Sequence, residues 1–245
     1  NYYSNLKESI KETNPDVVVI SANTINHLSL VRRIFKYTSK LTILCEKPVG
    51  QNLIETKKIS ELCKLNKSKC FVNFQRRSLK STFFIKKKII KIGRSEICKG
   101  VVHYSNGVKN SAIHFVNLFQ YLFEDLISYK KISKSYKLNK FDYNTDFVLK
   151  FKKAIIYFIH LKKKYTYGEF HLNFKKYQIN YLNGGQKINF INLSNNKILE
   201  QNILLKSKVI KIKSDILVAQ KKVYFQLENF FKRTKFYLCD IKEAI

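Results

Sequence analysis

Four short clusters in this 245-residue chain combine residue types that can exchange protons, bind hydroxyls or stabilise charge. They are Ser21–Ala22–Asn23–Thr24–Ile25–Asn26–His27, Cys45–Glu46–Lys47–Pro48, Gln75–Arg76–Arg77 and Asn110–Ser111–Ala112–Ile113–His114. The second cluster sets an ammonium between a carboxylate and a proline. An X–Pro bond tolerates the cis form, and a cis Lys47–Pro48 bond would aim the lysine. The fourth cluster ends on an imidazole, whose ordinary titration near ~6.5 suits proton exchange. Each residue also has a plainer use. Lys47 is one of 41 lysines, His114 could be a packed core histidine, and His27 could simply open a helix.

The elements that must position these clusters are legible as periodicity. Residues 17–20 form a continuous apolar, β-branched run, as a strand buried on both faces requires. Residues 27–39 have helical spacing, 41–45 are a second short strand, and 52–66 a helix with Leu53, Ile59 and Leu62 inward. Residues 70–74 form a third strand. Strand–helix–strand–helix–strand predicts a parallel doubly wound sheet, and such sheets bind ligands beyond the carboxyl ends of their strands. Three of the four clusters sit at those ends, and the fourth opens a later helix.

After about residue 78 the pattern changes. Helical spacing over 81–92 leads to a strand at 100–104 and a helix at 111–123, and alternation then dominates to about residue 213. Phe147, Leu149 and Phe151 alternate with Asp146, Val148 and Lys150, as do Phe170, Leu172 and Phe174 with His171 and Asn173. Asn183–Gly184–Gly185 predicts a hairpin turn before residues 188–193, and 216–231 return to helical spacing. His103, His160 and His171 lie in strand-like runs and are expected to be structural. The fold class read from these patterns is α/β. A truncated Rossmann-type parallel sheet (residues 1–78) precedes an α+β domain with a largely antiparallel open sheet (residues 79–245).

Composition excludes several classes. The chain is 45% hydrophobic, enough for a sizeable core. Apolar stretches such as 154–159 fall far short of the roughly 20 residues of a membrane helix. The formal charge is +30, yet it comes from 41 Lys and only 6 Arg, beside 22 Asn and 5 Ala. Drift toward A/T-rich codons gives that balance without selection for a polyanion. A nucleic-acid surface would concentrate its charge and favour arginine, so no nucleic-acid partner is expected. Five cysteines with no CxxC pair argue against a disulfide scaffold or a zinc ribbon, and fit a reducing cytoplasmic compartment. No metal site is expected. The chain lacks methionine even at position 1, and the expectation is an N-terminally truncated sequence.

Asp16 and the 17–20 strand, His27, then Cys45–Glu46–Lys47–Pro48, then Gln75–Arg76–Arg77, with His114 at the expected distance, resemble the Gfo/Idh/MocA oxidoreductases (glucose–fructose oxidoreductase and inositol dehydrogenase among them). The resemblance is firm to about residue 123 and looser beyond it, and residues 239–244 look like the family's closing helix. It implies an NAD- or NADP-dependent enzyme acting on a sugar, nucleotide sugar or cyclitol. Lys47 would stabilise charge on the reacting oxygen and His114 would exchange the hydroxyl proton. Ala22, Asn23, His27, Glu46, Lys47 and Pro48 would border the nicotinamide half of the cofactor, with Gln75 and Arg77 near the domain junction.

The chain departs from that pattern at two points. Inositol-dehydrogenase-like members carry an aspartate four residues before the histidine, where this chain has Asn110. An amide can orient an imidazole but cannot stabilise its cation, and a helix capped by Ser111 would disfavour that cation further. The Gly-rich phosphate turn is also missing, since Gly50 is the first glycine. An apolar 17–20 edge left unpaired would invite aggregation, and this chain by itself is not expected to hold a cofactor pyrophosphate. The expected partners are a small sugar-like molecule and a second copy, joined through the open sheet face. The alternatives are an inactive remnant or regulatory protein of the same fold and, in a different class, a polyanion-binding module with steep salt dependence.

Overall fold

A computed structural model describes residues 2–92, 96–193, 197–199, 202–204 and 208–244. Helix α1 (Leu6–Thr13) comes first and lies outside the strand–helix alternation read above. Asn5 accepts the Lys7 N–H at 2.8 Å to open it, and Asn14 closes it at φ 40°. Strand β1 (Val17–Ile20), helix α2 (Thr24–Ile34), strand β2 (Thr42–Cys45), helix α3 (Leu53–Leu65) and strand β3 (Lys69–Val72) follow. The three strands pair in parallel, with Ile20 opposite Cys45 and Cys45 opposite Val72. Every residue of β2 is buried, as its apolar run requires of a central strand. Among the described residues β1 pairs on one side only, as expected. Helix α2 starts three residues earlier than its spacing suggests, because Asn23 holds an extended backbone before Thr24.

The chain divides into two units between Gln75 and Arg76. Helix α4 (Lys80–Ile92) opens on the carboxylate of Asp215, which accepts from the Lys80 N–H at 2.8 Å and from the Ser81 hydroxyl at 2.8 Å. A negative group there complements the helix dipole. Strand β4 (Cys98–Tyr104) leads through a π-turn (Val108–Ala112) into helix α5 (Ile113–Phe123). Next come β5 (Leu126–Lys131), the short ribbon of β6 (Tyr136–Lys137) and β7 (Tyr143–Asn144), β8 (Phe147–Phe151) and β9 (Ala154–His160). The series ends with β10 (Gly168–Asn173), β11 (Tyr177–Leu182), β12 (Lys187–Asn192), the β13 (Lys197–Leu199)–β14 (Asn202–Leu204) hairpin and β15 (Lys208–Ile212).

Eight of these strands form one sheet in the order β15-β12-β11-β10-β4-β9-β8-β5, and only the β4–β9 pair is parallel. The alternation sends Phe147, Leu149, Phe151, Phe170, Leu172, Ile179 and Tyr181 to the buried face. There they meet Phe115, Phe119 and Phe123 of α5. The Phe119 and Phe170 rings lie 5.2 Å apart, and Phe170 stacks on Tyr181 at 4.6 Å. A Cβ on Gly168 would stand 2.5 Å from the Phe115 ring, so a side chain there would push the helix off the sheet. Residues 183–185 make the expected hairpin turn, with Gly184 and Gly185 at φ 65° and 102°.

Helix α6 (Ala219–Phe231) begins in the second unit and, from Val223 onward, belongs to the first. Residues 223–245 therefore return to the dinucleotide-type unit, which corrects their assignment to the second domain. The reason is packing: Val223, Leu227 and Leu238 bury against Leu44 and Phe71, and Phe230 lies 5.1 Å from Phe71. Residues 239–244 are not a closing α-helix. They form β16 (Cys239–Asp240), antiparallel to β3, and a 3-10 turn (Ile241–Ala244).

Candidate active-site residues

Parallel pairing in this register brings the first two clusters to one edge of the first sheet. The ladder bonds continue past the strand ends: Glu46 N–H donates to the Ile20 carbonyl at 2.9 Å and Asn73 N–H to the Cys45 carbonyl at 2.8 Å. Ala22 and Asn23 are exposed there, and Glu46, Lys47 and Pro48 are half-buried. The Lys47–Pro48 bond is cis.

The loop carrying Lys47 is held from several sides. Asn73, 2% exposed, donates its side-chain N–H to Glu46 Oε1 and so ties the ends of β2 and β3. A Cβ on Gly50 would sit 2.8 Å from both Glu55 Cβ and Thr56 N, so glycine lets the loop close onto α3. Asn52 caps α3 by accepting the Glu55 N–H, and Glu55 reaches back to the Gln51 N–H at 2.8 Å. His27 is 1% exposed. Its Nδ1 lies 3.0 Å from the Val49 carbonyl and its Nε2 2.8 Å from that of Ala22. Both ring nitrogens thus face main chain, one on each side of the cluster. Cys45 Sγ lies 3.4 Å from Nδ1, and burial, then the Glu46 and Cys63 charges, push its thiol up to about 12. Cys45 is therefore neutral at physiological pH. Asn73 and Gly50 are the residues that spacing alone does not mark as part of this site.

The second unit positions Asn110 and His114. Tyr104 ends β4 and accepts the Thr145 N–H at 3.2 Å on its hydroxyl, fixing the 138–146 segment. From that segment Asp142 accepts the Lys109 N–H and the Asn110 N–H, each at 2.9 Å, and Asn144 accepts the Gly107 N–H at 2.8 Å. The helical turn therefore starts at Val108 and is capped by Asp142. Ser111, expected as the cap, is buried inside the turn. The turn is π because Ala112 N–H reaches back five residues to the Gly107 carbonyl at 3.2 Å. Gly107 sits at φ 91°, and a Cβ on it would stand 2.0 Å from Asp142 Oδ2. Asn110 is exposed, and His114, one turn further, is half-buried with its Nδ1 atom covered.

Gln75 ends the first unit's N-terminal segment and is half-buried. Arg77 is 6% exposed and lies over the Tyr121 ring at 5.1 Å, and Arg76 lies over Phe115 at 5.0 Å. Both guanidinium groups are thus packed on the aromatic face of α5. A cleft of about 590 Å³ in the same unit, lined among others by Lys86, Glu96, Asp125 and Lys152, includes neither Asn110 nor His114.

The first unit's polar strand ends suit the nicotinamide half of a dinucleotide. Asn23 and Glu46 offer an amide and a carboxylate for ribose hydroxyls, beside an ammonium at Lys47. The 245 residues contain no G-x-G-x-x-G turn for a pyrophosphate. Residues 1–74 match the Gfo/Idh/MocA family model, described as an oxidoreductase family with an NAD-binding Rossmann fold. No curated protein matches the chain.

Solved structures share the fold. One is an oxidoreductase from Agrobacterium radiobacter in complex with NAD+, L-tartaric acid and magnesium, at 13% identity over 99% of this chain and 77% of that one (TM-score 0.69). Another is an inositol dehydrogenase homologue from Azotobacter vinelandii complexed with NADH and myo-inositol, at 11% identity over 97% and 76% (TM-score 0.70). A third is an oxidoreductase from Sinorhizobium meliloti, at 12% over 99% and 78% (TM-score 0.73). The resemblance to Gfo/Idh/MocA oxidoreductases thus rests on sequence in the first unit and on fold across the chain. No helix among the described residues is long and apolar enough to cross a membrane.

Proposed function

We propose that this chain serves an NAD(P)-dependent oxidoreductase that moves a hydride at a carbinol carbon of a sugar, nucleotide sugar or cyclitol. The observation that carries this is the Glu46–Lys47–Pro48 segment at the carboxyl end of β2, inside the stretch that matches an NAD-binding family. The bound nicotinamide would accept or supply the hydride. Lys47 stabilises the charge that develops on the substrate oxygen, and His114 takes or returns the hydroxyl proton. Asn110, on the turn before His114, orients the imidazole without adding charge.

Ala22, Asn23, Glu46 and Pro48 border the nicotinamide riboside, and Gln75 and Arg77, where the chain passes from the first unit into the second, are the remaining cofactor-side residues. His27 acts as a positioning residue, since its nitrogens face the Ala22 and Val49 carbonyls. The five free, buried cysteines fit a cytoplasmic protein, and self-association through the outer face of the eight-stranded sheet belongs to the same reading.

Lys47→Met in the intact protein, assayed against a panel of polyols with NAD and NADP, should lower turnover by ~10²-fold or more while cofactor still binds. Turnover equal to the parent's ends the mechanism. A parent protein that binds cofactor yet turns over no polyol supports the inactive reading, which Asn110 favours.

A further inference from the structure

The outer face of the eight-stranded sheet carries a second constellation, away from the face that α5 covers. In sequence, His103 and His171 read as structural residues of separate strands, 68 positions apart. The antiparallel β4–β10 register puts Glu169 directly opposite His103, and the two-residue strand period puts His171 beside Glu169 on the same face. His103 Nδ1 lies 3.5 Å from Glu169 Oε1, and His171 Nε2 lies 3.9 Å from that same oxygen. One ligand atom from each of the three residues falls within 4.8 Å of the other two. We propose that His103, Glu169 and His171 form a binding site for a divalent first-row transition ion of the zinc class.

Two imidazoles and one carboxylate are a donor set for zinc that leaves coordination positions open. Ligand atoms about 2.0–2.2 Å from a common tetrahedral ion stand roughly 3.3–3.6 Å apart, so the observed spacing needs only rotamer-scale closure. The supporting contacts are those a metal site uses. Asn180, opposite His171 on β11, accepts from His171 Nδ1–H at 3.0 Å, and this leaves the Nε2 lone pair turned toward Glu169. Tyr167 donates its hydroxyl to Glu169. The carboxylate is thereby oriented and kept as an acceptor. In the single chain His103 and His171 are each 31% exposed and Glu169 17%, so an ion can enter from solvent before two copies meet through this face. The other cross-strand neighbour of His103 is the apolar Ile159 of β9, so no lysine stands across from it.

The test uses the whole chain, stripped with a chelator and titrated with Zn²⁺ against a chromogenic competitor. One equivalent should bind to the parent. Glu169→Gln and His171→Gln should each weaken binding at least tenfold, and Asn180→Ala by about tenfold through the lost orienting bond. Circular dichroism confirms that each variant is folded. Co²⁺ on the unmodified chain provides a second measurement that needs no variant. A visible spectrum without a thiolate charge-transfer band assigns the ion to nitrogen and oxygen donors, and not to cysteines. Absence of uptake by the parent, a thiolate band, or undiminished uptake by a His103→Gln/His171→Gln double variant would each overturn the proposal.

Discussion

His27 is a residue whose chemistry is spent on the main chain. Its two nitrogens lie against carbonyls on either side of the Lys47 loop, so His27→Ala empties a buried site and removes the donor of the carbonyl that the ring N–H serves. A buried acceptor that loses its donor costs about 1–3 kcal/mol, and the urea midpoint should fall accordingly. The neighbouring thiols make a further prediction. Burial lifts Cys45 and Cys98 from their ordinary value near 9 to about 12. In both cases the folded protein holds the proton more tightly than the unfolded chain does. Their contribution is thus fully present below pH 9 and is lost as pH rises from 9 toward 12. Urea midpoints recorded between pH 7 and 10.5 should stay level and then drop. A Cys45→Ala/Cys98→Ala variant should show a shallower alkaline decline, and an equal decline in both proteins removes the thiols as its cause.

At the scale of an element, the turn into α5 depends on two residues outside it. Asp142 accepts two N–H groups of the first turn and Gly107 leaves room for its carboxylate. Asp142→Ala removes a helix cap and should cost about 1–2 kcal/mol. Gly107→Ala demands a side chain at φ 91° and 2.0 Å from the carboxylate, so its loss should equal or exceed that of Asp142→Ala. The double variant should lose less than the sum, because both act on one contact. Additive losses in chemical denaturation would separate the two. The same elements mark where sequence reading runs out. The existence of α5 follows from its apolar spacing. Its cap lies 31 residues beyond Ser111, in a segment with no periodicity to announce it.

At the scale of the whole molecule, the chain's last residues complete its first unit. Val223, Leu227 and Leu238 bury on Leu44 and Phe71, and β16 pairs with β3. Each fully buried apolar side chain of this kind contributes about 1.5–3 kcal/mol. A chain ending at Lys222 should therefore lose the first unit's cooperative unfolding and gain protease cleavage within residues 2–75, while the 76–222 sheet persists. Limited proteolysis with mass spectrometry reads both outcomes. Equal protection of both units in the shortened chain would show that the first sheet stands without its C-terminal partner.

The identities of β1 to β4 and of α2 to α6, the parallel first sheet, the inward aromatic rows and the Asn183–Gly185 hairpin follow from local patterns, because period and turn chemistry act over a few residues. The strand-end cluster around Lys47 follows too, since short apolar parallel strands deliver their successors to one edge. Other features needed the folded chain. These are the return of residues 223–245 to the first unit, the Asp142 cap, the two carbonyls around His27 and the meeting of His103 with His171. Each joins segments far apart in sequence through burial or cross-strand register, and no window of neighbouring residues contains the energy of such a contact.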